Sequence, residues 1–459
     1  MTDTDVSSAA LSDLKLRVAD GSIDTVVAAI PDMQGRLMGK RFHASHFIDS
    51  AWEETHCCNY LVATDIEMAP VPGYRESSWA TGYGDYVMRP DLTTLRYVPW
   101  LERTAYVLCD LFDHHGHEPV PHAPRTILKR QRKRLAALGY RSRMATELEF
   151  FVFREDFETL RDRGYRNMTR ISAYNEDYHV FQTTREEVLM QAIRNGLHDA
   201  GIAVENTKGE ADAGQAEINI RYADPLDMAD SHVFAKNGIK EIAFLKGRAL
   251  TFMAKWHHDA AGSSCHIHQS LVAEGGEPVF FDASAEAGMS SLMRYYLAGL
   301  LKYSDDQMVF LAPYVNSYKR FIADTFAPTK RVWSIDNRTA GYRISGADTP
   351  SVRIECRISG ADLNPYLALA GQIAAGISGI EEGLPLEDPA VGDAYRAEGV
   401  RSIPGTLRAA TRSLRDSAML RQAMGDGVVD HYVRAAEWEQ EEFDRKVTDY
   451  EVVRGFERA

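Results

Sequence analysis

The sequence predicts an α+β protein built as two domains, a small sheet domain at residues 1–118 and a larger one at residues 119–459. Length, an N-terminal hairpin pattern and a proline-dense joint point to it. The chain of 459 residues exceeds what one ordinary hydrophobic core organises. Residues Ile23 to Ile30 form a β-rich run that breaks at Pro31-Asp32-Met33-Gln34-Gly35 and resumes from Arg36 to Phe42, the pattern of a hairpin opening a sheet. Proline density then peaks at Pro119-Val120-Pro121-His122-Ala123-Pro124, where a helix starts with Pro124 in its first turn.

The remaining elements follow in order. Pro70 to Asp91 combines prolines, glycines and aromatics and reads as a long ordered loop. Met144 to Phe153 reads as a strand. Thr184-Arg185-Glu186-Glu187 has the form of a capping box opening a helix in which Leu189, Ile193 and Leu197 share a face and Gly201 marks the end. Strand and helix signals alternate to about Leu271. The apolar stretch Tyr366 to Ile380 reads as a buried helix. After Gly383 the chain is largely helical and polar, with Trp438, Phe443 and Val447 expected as the buried line of a terminal helix.

Composition excludes several classes of function. With 45% hydrophobic and 26% charged residues the chain is a folded protein and not a disordered one. A formal net charge of -14 repels nucleic acid and acidic membranes. The one basic run, Lys129-Arg130-Gln131-Arg132-Lys133-Arg134, lies among Ile127, Leu128, Leu135 and Leu138 at helical spacing and reads as the solvated face of a helix. Five cysteines without a CxxC pair fit reduced thiols. Met1 to Ala10 is polar and acidic where a signal peptide would be basic and then apolar, and Tyr366 to Ile380 is too short to span a bilayer. A cytoplasmic protein with neither membrane nor nucleic-acid partners is expected.

Four constellations carry chemistry. In Glu147-Leu148-Glu149 the period of two puts both carboxylates on one face of an otherwise apolar strand, where they repel unless a cation is shared; the competing reading is a half-exposed strand with its acids in water. Glu210-Ala211-Asp212-Ala213-Gly214-Gln215-Ala216-Glu217 has small residues that let two glutamates converge as hard donors for Mg²⁺ or Mn²⁺, or it is an ordinary acidic loop. Gly262-Ser263-Ser264-Cys265-His266-Ile267-His268 places two histidines on one strand face, as ligands or as satisfied structural residues. Arg353-Ile354-Glu355-Cys356-Arg357 alternates charged and apolar faces, and with Arg320, Arg338 and Arg343 it supplies five arginines suited to several anionic groups; the bland alternative for each is a surface ion pair. Acids and histidine for divalent metal, with arginines for phosphate, are the parts of phosphoryl transfer. No GxxxxGK[ST] loop, kinase motif set or GxGxxG fingerprint is present, so a nucleotide would be held in another way.

Taken together with Asn316-Ser317-Tyr318-Lys319-Arg320, Asp336-Asn337-Arg338-Thr339 and Asn364-Pro365-Tyr366-Leu367, these segments in this order resemble the glutamine synthetase family over nearly the whole chain. The resemblance implies a small N-terminal β-grasp domain and a larger catalytic domain with a curved antiparallel sheet and flanking helices. It implies a site with two or more divalent ions, Mg²⁺ or Mn²⁺, in which Glu149, Glu210 and Glu217 hold one and Glu147, His266 and Glu355 the other. It further implies that Arg320, Arg357 and Gly262 bind glutamate, that Arg338, Arg343 and Arg353 contact phosphates, and that His268, Ser270 and Tyr222 lie near ATP. The assembly so implied is a homododecamer with active sites between subunits, and the chemistry is activation of glutamate as γ-glutamyl phosphate followed by attack of an amine.

Departures from the ammonia-using pattern concern the nucleophile. Phe326 stands before Ala327-Pro328, where ammonia-using members carry a glutamate that helps bind ammonium. The aspartate of the ammonium pocket has no clear counterpart in Leu61 to Ser78, with Asp65 and Glu67 as the nearest acids. Ala261 replaces an asparagine that contacts the glutamate amino group, the run Lys255-Trp256-His257-His258 is unusual, and the residues around Tyr395 do not match an adenylylation site. The expected activity is therefore a glutamate–amine ligase using an organic amine. An ammonia-using glutamine synthetase is the alternative, and a catalytically silent relative of the fold a third.

Overall fold

The computed structural model describes residues 3–459; Met1 and Thr2, the start of the stretch from which cytoplasmic residence is expected, lie outside the described residues. Two mixed sheets organise the chain. The first contains β1 (Thr25–Pro31), β2 (Leu37–His43), β3 (Thr55–Cys58), β4 (Asp85–Tyr97) and β5 (Thr104–Asp113) in the order β2-β1-β5-β4-β3. Its centre is the parallel pair β1/β5, and the other pairs are antiparallel. The β1/β2 hairpin forms where the sequence predicts it. Its turn is organised by the buried Asp32 carboxylate, which accepts from the Gln34 and Arg36 amides at 3.0 and 2.8 Å and from Arg36 Nε at 2.7 Å.

The second sheet contains β6 (Tyr140–Phe153), β7 (Val204–Gly209), β8 (Gln215–Ile220), β9 (Ala249–Thr251), β10 (Cys265–Ala273), β11 (Trp333–Ile335), β12 (Tyr342–Ser345) and β13 (Arg353–Cys356). The order is β11-β12-β13-β10-β6-β8-β7, with β9 on the far end of β6. All pairs are antiparallel except β11/β12, which is parallel.

Helices Pro124–Ala137, Pro225–Leu245, Ser291–Lys302 and Pro365–Glu381 pack behind this sheet. Every residue from Pro365 to Gly379 is buried. A Cβ on Gly379 would lie 2.2 Å from the Tyr295 carbonyl oxygen, so glycine there lets this helix and Ser291–Lys302 touch backbone to backbone. No helix among the described residues is long and apolar enough to cross a membrane. Asn364 caps the helix and also donates to the carbonyls of Asp32 and Met33 at 3.1 and 3.0 Å, fastening the hairpin turn to the second layer.

Three sequence expectations are corrected. Asp85 to Asp91 is strand and not loop, because Tyr86, Val87 and Met88 pair with β3 on one side and β5 on the other, and ladder pairing on both edges outweighs turn composition. No capping box forms at Thr184: its hydroxyl donates to the Val180 carbonyl at 3.1 Å within the preceding turn, and helix Glu187–Asp199 starts without a side-chain cap. In helix Asp426–Arg445 the buried line is Val428, Val429, Tyr432, Val433 and Ala436, whereas Phe443 in its last turn and Val447 beyond its end are exposed. The basic face of Pro124–Ala137 is neutralised by ion pairs of Lys129 with Asp110 and Arg132 with Asp224.

Candidate active site

Strand register assembles the site. Across the second sheet Glu217 on β8 faces Glu149 on β6, Glu147 on β6 faces His266 on β10, His268 on β10 faces Glu355 on β13, and Glu355 faces Arg343 on β12. Because side chains alternate with a period of two, five adjacent strands present acids, histidines and arginines on one face. A cavity of about 190 Å³, open to solvent, collects Glu147, Glu149, Glu210, Glu217, His266 and Glu355. Gly262, Arg320, Arg338, Arg343, Arg357 and Phe326 line its other walls.

Two carboxylate groups stand out. Ligand atoms of Glu149, Glu210 and Glu217 lie within 4.8 Å of one another, and so do those of Glu147, His268 and Glu355. In the first trio, burial and the neighbouring Glu210 push Glu149 up to about 8, and burial with the charges of Glu147, Glu210 and Glu149 pushes Glu217 up to about 9. Glu149 is oriented by the Ser264 amide at 2.7 Å, the Ser264 hydroxyl at 2.5 Å and Gln215 Nε2 at 3.2 Å. Lys208 reaches into this trio: its ammonium contacts Glu210 and lies over the Tyr178 ring, 4.6 Å from its centre. Burial opposes the charge on Lys208, but Glu217 and Glu210 hold its pKa above the ordinary lysine value.

In the second group burial again opposes ionisation, yet hydrogen bonds with His266 Nδ1 at 3.0 Å and His268 Nε2 at 2.9 Å hold Glu147 well below the usual carboxylate range. Glu355 is likewise held low against burial by His266 and Arg357, and it accepts from Arg343 Nη1 at 2.8 Å. His266 Nδ1 is also 3.7 Å from Glu355, so both histidines border this group. Hard carboxylate oxygens with imidazole nitrogens are a donor set for Mg²⁺ or Mn²⁺. The repulsion that raises Glu149 and Glu217 is what a divalent cation between them removes, so the residues fit such ions.

The arginines differ in their freedom. Arg320 is buried, and its Nη2 is fixed by the carbonyls of Arg357, Ile358 and Ser359, while its buried Nε has no partner. Arg357 pairs with Glu355 and donates from Nε to the Arg338 carbonyl at 3.2 Å. Arg353 stands at the far side of His268, donating from Nε to Nδ1 at 3.3 Å. Ser270 continues β10 beyond His268, and Tyr222 is exposed with the Arg221 guanidinium over its ring; neither lines the cavity.

Asp177, Tyr178 and Lys208 also line the cavity and escape the sequence reading. Their only local signal is the lysine two residues before Glu210. Asp65 organises its own turn and accepts from Trp438 Nε1 at 3.0 Å, and the Ala261 amide donates to Asp212 at 2.9 Å. In the unusual run after Ala254, Lys255 contacts the Ala260 carbonyl and Trp256 packs on Phe151 and Phe153, so those two serve the loop, whereas His257 and His258 are exposed. The Tyr395 hydroxyl is buried beside the Phe326 backbone and is not presented for modification.

Comparison with known proteins follows the same lines. Residues 121–454 match the family model of the glutamine synthetase catalytic domain. A gamma-glutamylethanolamide synthetase of Streptomyces coelicolor is 48% identical over 450 residues, covering 98% of this chain and 96% of the relative. A glutamate–isopropylamine ligase of a Pseudomonas species is 34% identical over 446 residues, covering 96% and 97%. The solved GmaS/ADP complex superimposes with a TM-score of 0.84 over 96% of this chain and 99% of that one at 24% identity, a likeness of fold.

Proposed function

This chain belongs to the glutamine synthetase family, and on that premise we propose that it is a carbon–nitrogen ligase that uses ATP to join the γ-carboxylate of glutamate to a small organic amine. The observation that carries the reading is the single cavity in which Glu147, Glu149, Glu210, Glu217, His266 and Glu355 meet Arg320, Arg338, Arg343 and Arg357 with Phe326 at the wall. Two or more divalent ions, Mg²⁺ or Mn²⁺, held by those acids and histidines, would supply charge compensation for phosphate oxygens when bound.

A carboxylate is a poor acyl donor because oxide is a poor leaving group. A γ-carboxylate oxygen therefore attacks the γ-phosphorus of ATP, ADP departs, and the amine then attacks the acyl carbon and expels phosphate. Arg320 is suited to a substrate carboxylate: three backbone carbonyls fix its guanidinium, and the unpartnered Nε is a buried donor awaiting an acceptor. Arg338 and Arg343 take the transferring phosphoryl group, with Arg353, His268, Ser270 and Tyr222 on the nucleotide side. The exclusion of water from the acyl phosphate falls to closure of this cavity. We place the enzyme in the cytoplasm as a homo-oligomer, a dodecamer with shared sites, on the strength of its membership of the family.

Ethanolamine is the first amine to test, since the relative that is 48% identical is named for the ethanolamide and Phe326 offers a carbon chain a surface that it does not offer ammonium. Phosphate release from ATP and glutamate is measured with ethanolamine, isopropylamine, a diamine, aniline and ammonium. A small monoamine is expected to give the highest kcat/KM; ammonium as the best substrate sinks the organic-amine assignment.

A further inference from the structure

The two acid groups of the site are compensated in different ways. Glu147 and Glu355 are held by His266, His268, Arg343 and Arg357, all on the sheet face itself. The trio of Glu149, Glu210 and Glu217 has Lys208 as its ion-pair partner among the described residues. Lys208 is at the end of β7 and its register partner on β8 is Glu217, so the strand pairing sends its side chain toward the trio. The ammonium is shared: it contacts Glu210, also pairs with Asp177 Oδ1 at 3.4 Å and lies 4.6 Å from the centre of the Tyr178 ring. A lysine is a point charge on a flexible stem that exchanges partners readily, unlike the planar fork of arginine.

We propose that Lys208 is a resident counter-cation of the Glu149–Glu210–Glu217 trio that gives up Glu210 and keeps Asp177 and the Tyr178 ring as its partners when a divalent cation binds there. Metal loading is then an exchange of one cation for another, and the apparent affinity of this site is weakened by the ion pair that must first break. The released ammonium retains the carboxylate and the aromatic face that it already touches, both on the segment that lines the cavity beside β7. Metal binding and the position of that segment are thereby coupled. The inference rests on the reading that these three carboxylates hold a divalent ion.

The test is Mn²⁺ titration of the full-length oligomer without ATP, glutamate or amine, following free Mn²⁺ by electron paramagnetic resonance. Lys208→Met, which keeps the stem and removes the charge, is expected to lower the Kd of one class of site about tenfold and leave the other class unchanged. Lys208→Gln is expected to do the same and replaces it if the first variant fails to fold. Asp177→Asn removes the partner that Lys208 keeps and leaves the trio intact, so it is expected to weaken Mn²⁺ binding, the opposite sign. Unchanged or weaker binding in both lysine variants overturns the exchange, as does tighter binding in Asp177→Asn. If Glu149→Ala leaves every Mn²⁺ site of the parent protein unaltered, the metal reading of the trio itself fails and the exchange falls with it.

Discussion

At the scale of single residues, Phe326 is the side chain that most sharply separates the organic-amine reading from the ammonia reading. It lines the cavity, is 58% exposed, and holds φ of 57°, a backbone region that bulky residues seldom occupy. Primary amines arrive protonated at neutral pH, with a conjugate-acid pKa near that of lysine, about 10.4; a carboxylate steadies a small cation, whereas a ring packs on carbon. Phe326→Glu is therefore expected to raise kcat/KM for ammonium relative to ethanolamine, and a ratio that does not move removes Phe326 as the discriminating group. The glutamate and histidine pairs were legible because a strand's period of two puts alternate residues on one face whatever their neighbours. Asp177 and Tyr178 were not, since an irregular segment reaches the cavity only through packing that no local pattern encodes, and Lys208 was not, since its place beside the acids is set by its pairing with Glu217 across β8.

Among the elements, β7 and the segment before helix Glu187–Asp199 form one unit. A Cβ on Gly209 would lie 2.4 Å from the Glu176 carbonyl oxygen and 2.8 Å from Thr183 Cγ2, so glycine at the end of β7 allows the stretch bearing Asp177 and Tyr178 to close on the strand beside Glu210. Gly209→Ala must push that stretch away. The expected result is a thermal destabilisation of about 1–3 kcal/mol together with a higher KM for the amine. A fall in Tm with the amine KM unchanged shows that the stretch serves stability alone. The same segment explains a failed sequence expectation, because Thr184 spends its hydroxyl on the preceding turn and cannot cap the helix that follows. The hairpin and the helix at Pro124 were legible because Gly35 and the proline act locally, and the helix after Pro365 because the stretch Tyr366 to Ile380 is mostly apolar; β4 was not, since its strand character comes from partners on both sides.

For the molecule as a whole, the two sheets are joined at a buried charge hub. Arg125 donates to Asp230 at 3.0 and 2.7 Å, to Asp110 at 2.7 Å and to Asp91 at 3.0 Å, and the Tyr366 hydroxyl donates to Asp230 at 2.6 Å. Strands of the first sheet and three helices behind the second meet at one guanidinium, a long-range arrangement that hydrophobic periodicity could not reveal. This joint holds the second sheet, and with it the acid and arginine face, in a fixed frame. The central claim is that this face makes γ-glutamyl phosphate, and isotope transfer tests it most directly. Glutamate carrying ¹⁸O in the γ-carboxylate is turned over with ATP and ethanolamine, and the released phosphate is analysed by mass spectrometry. One ¹⁸O is expected in each phosphate, left behind when the amine displaces the acyl oxygen; phosphate free of label at full turnover rules out the acyl phosphate.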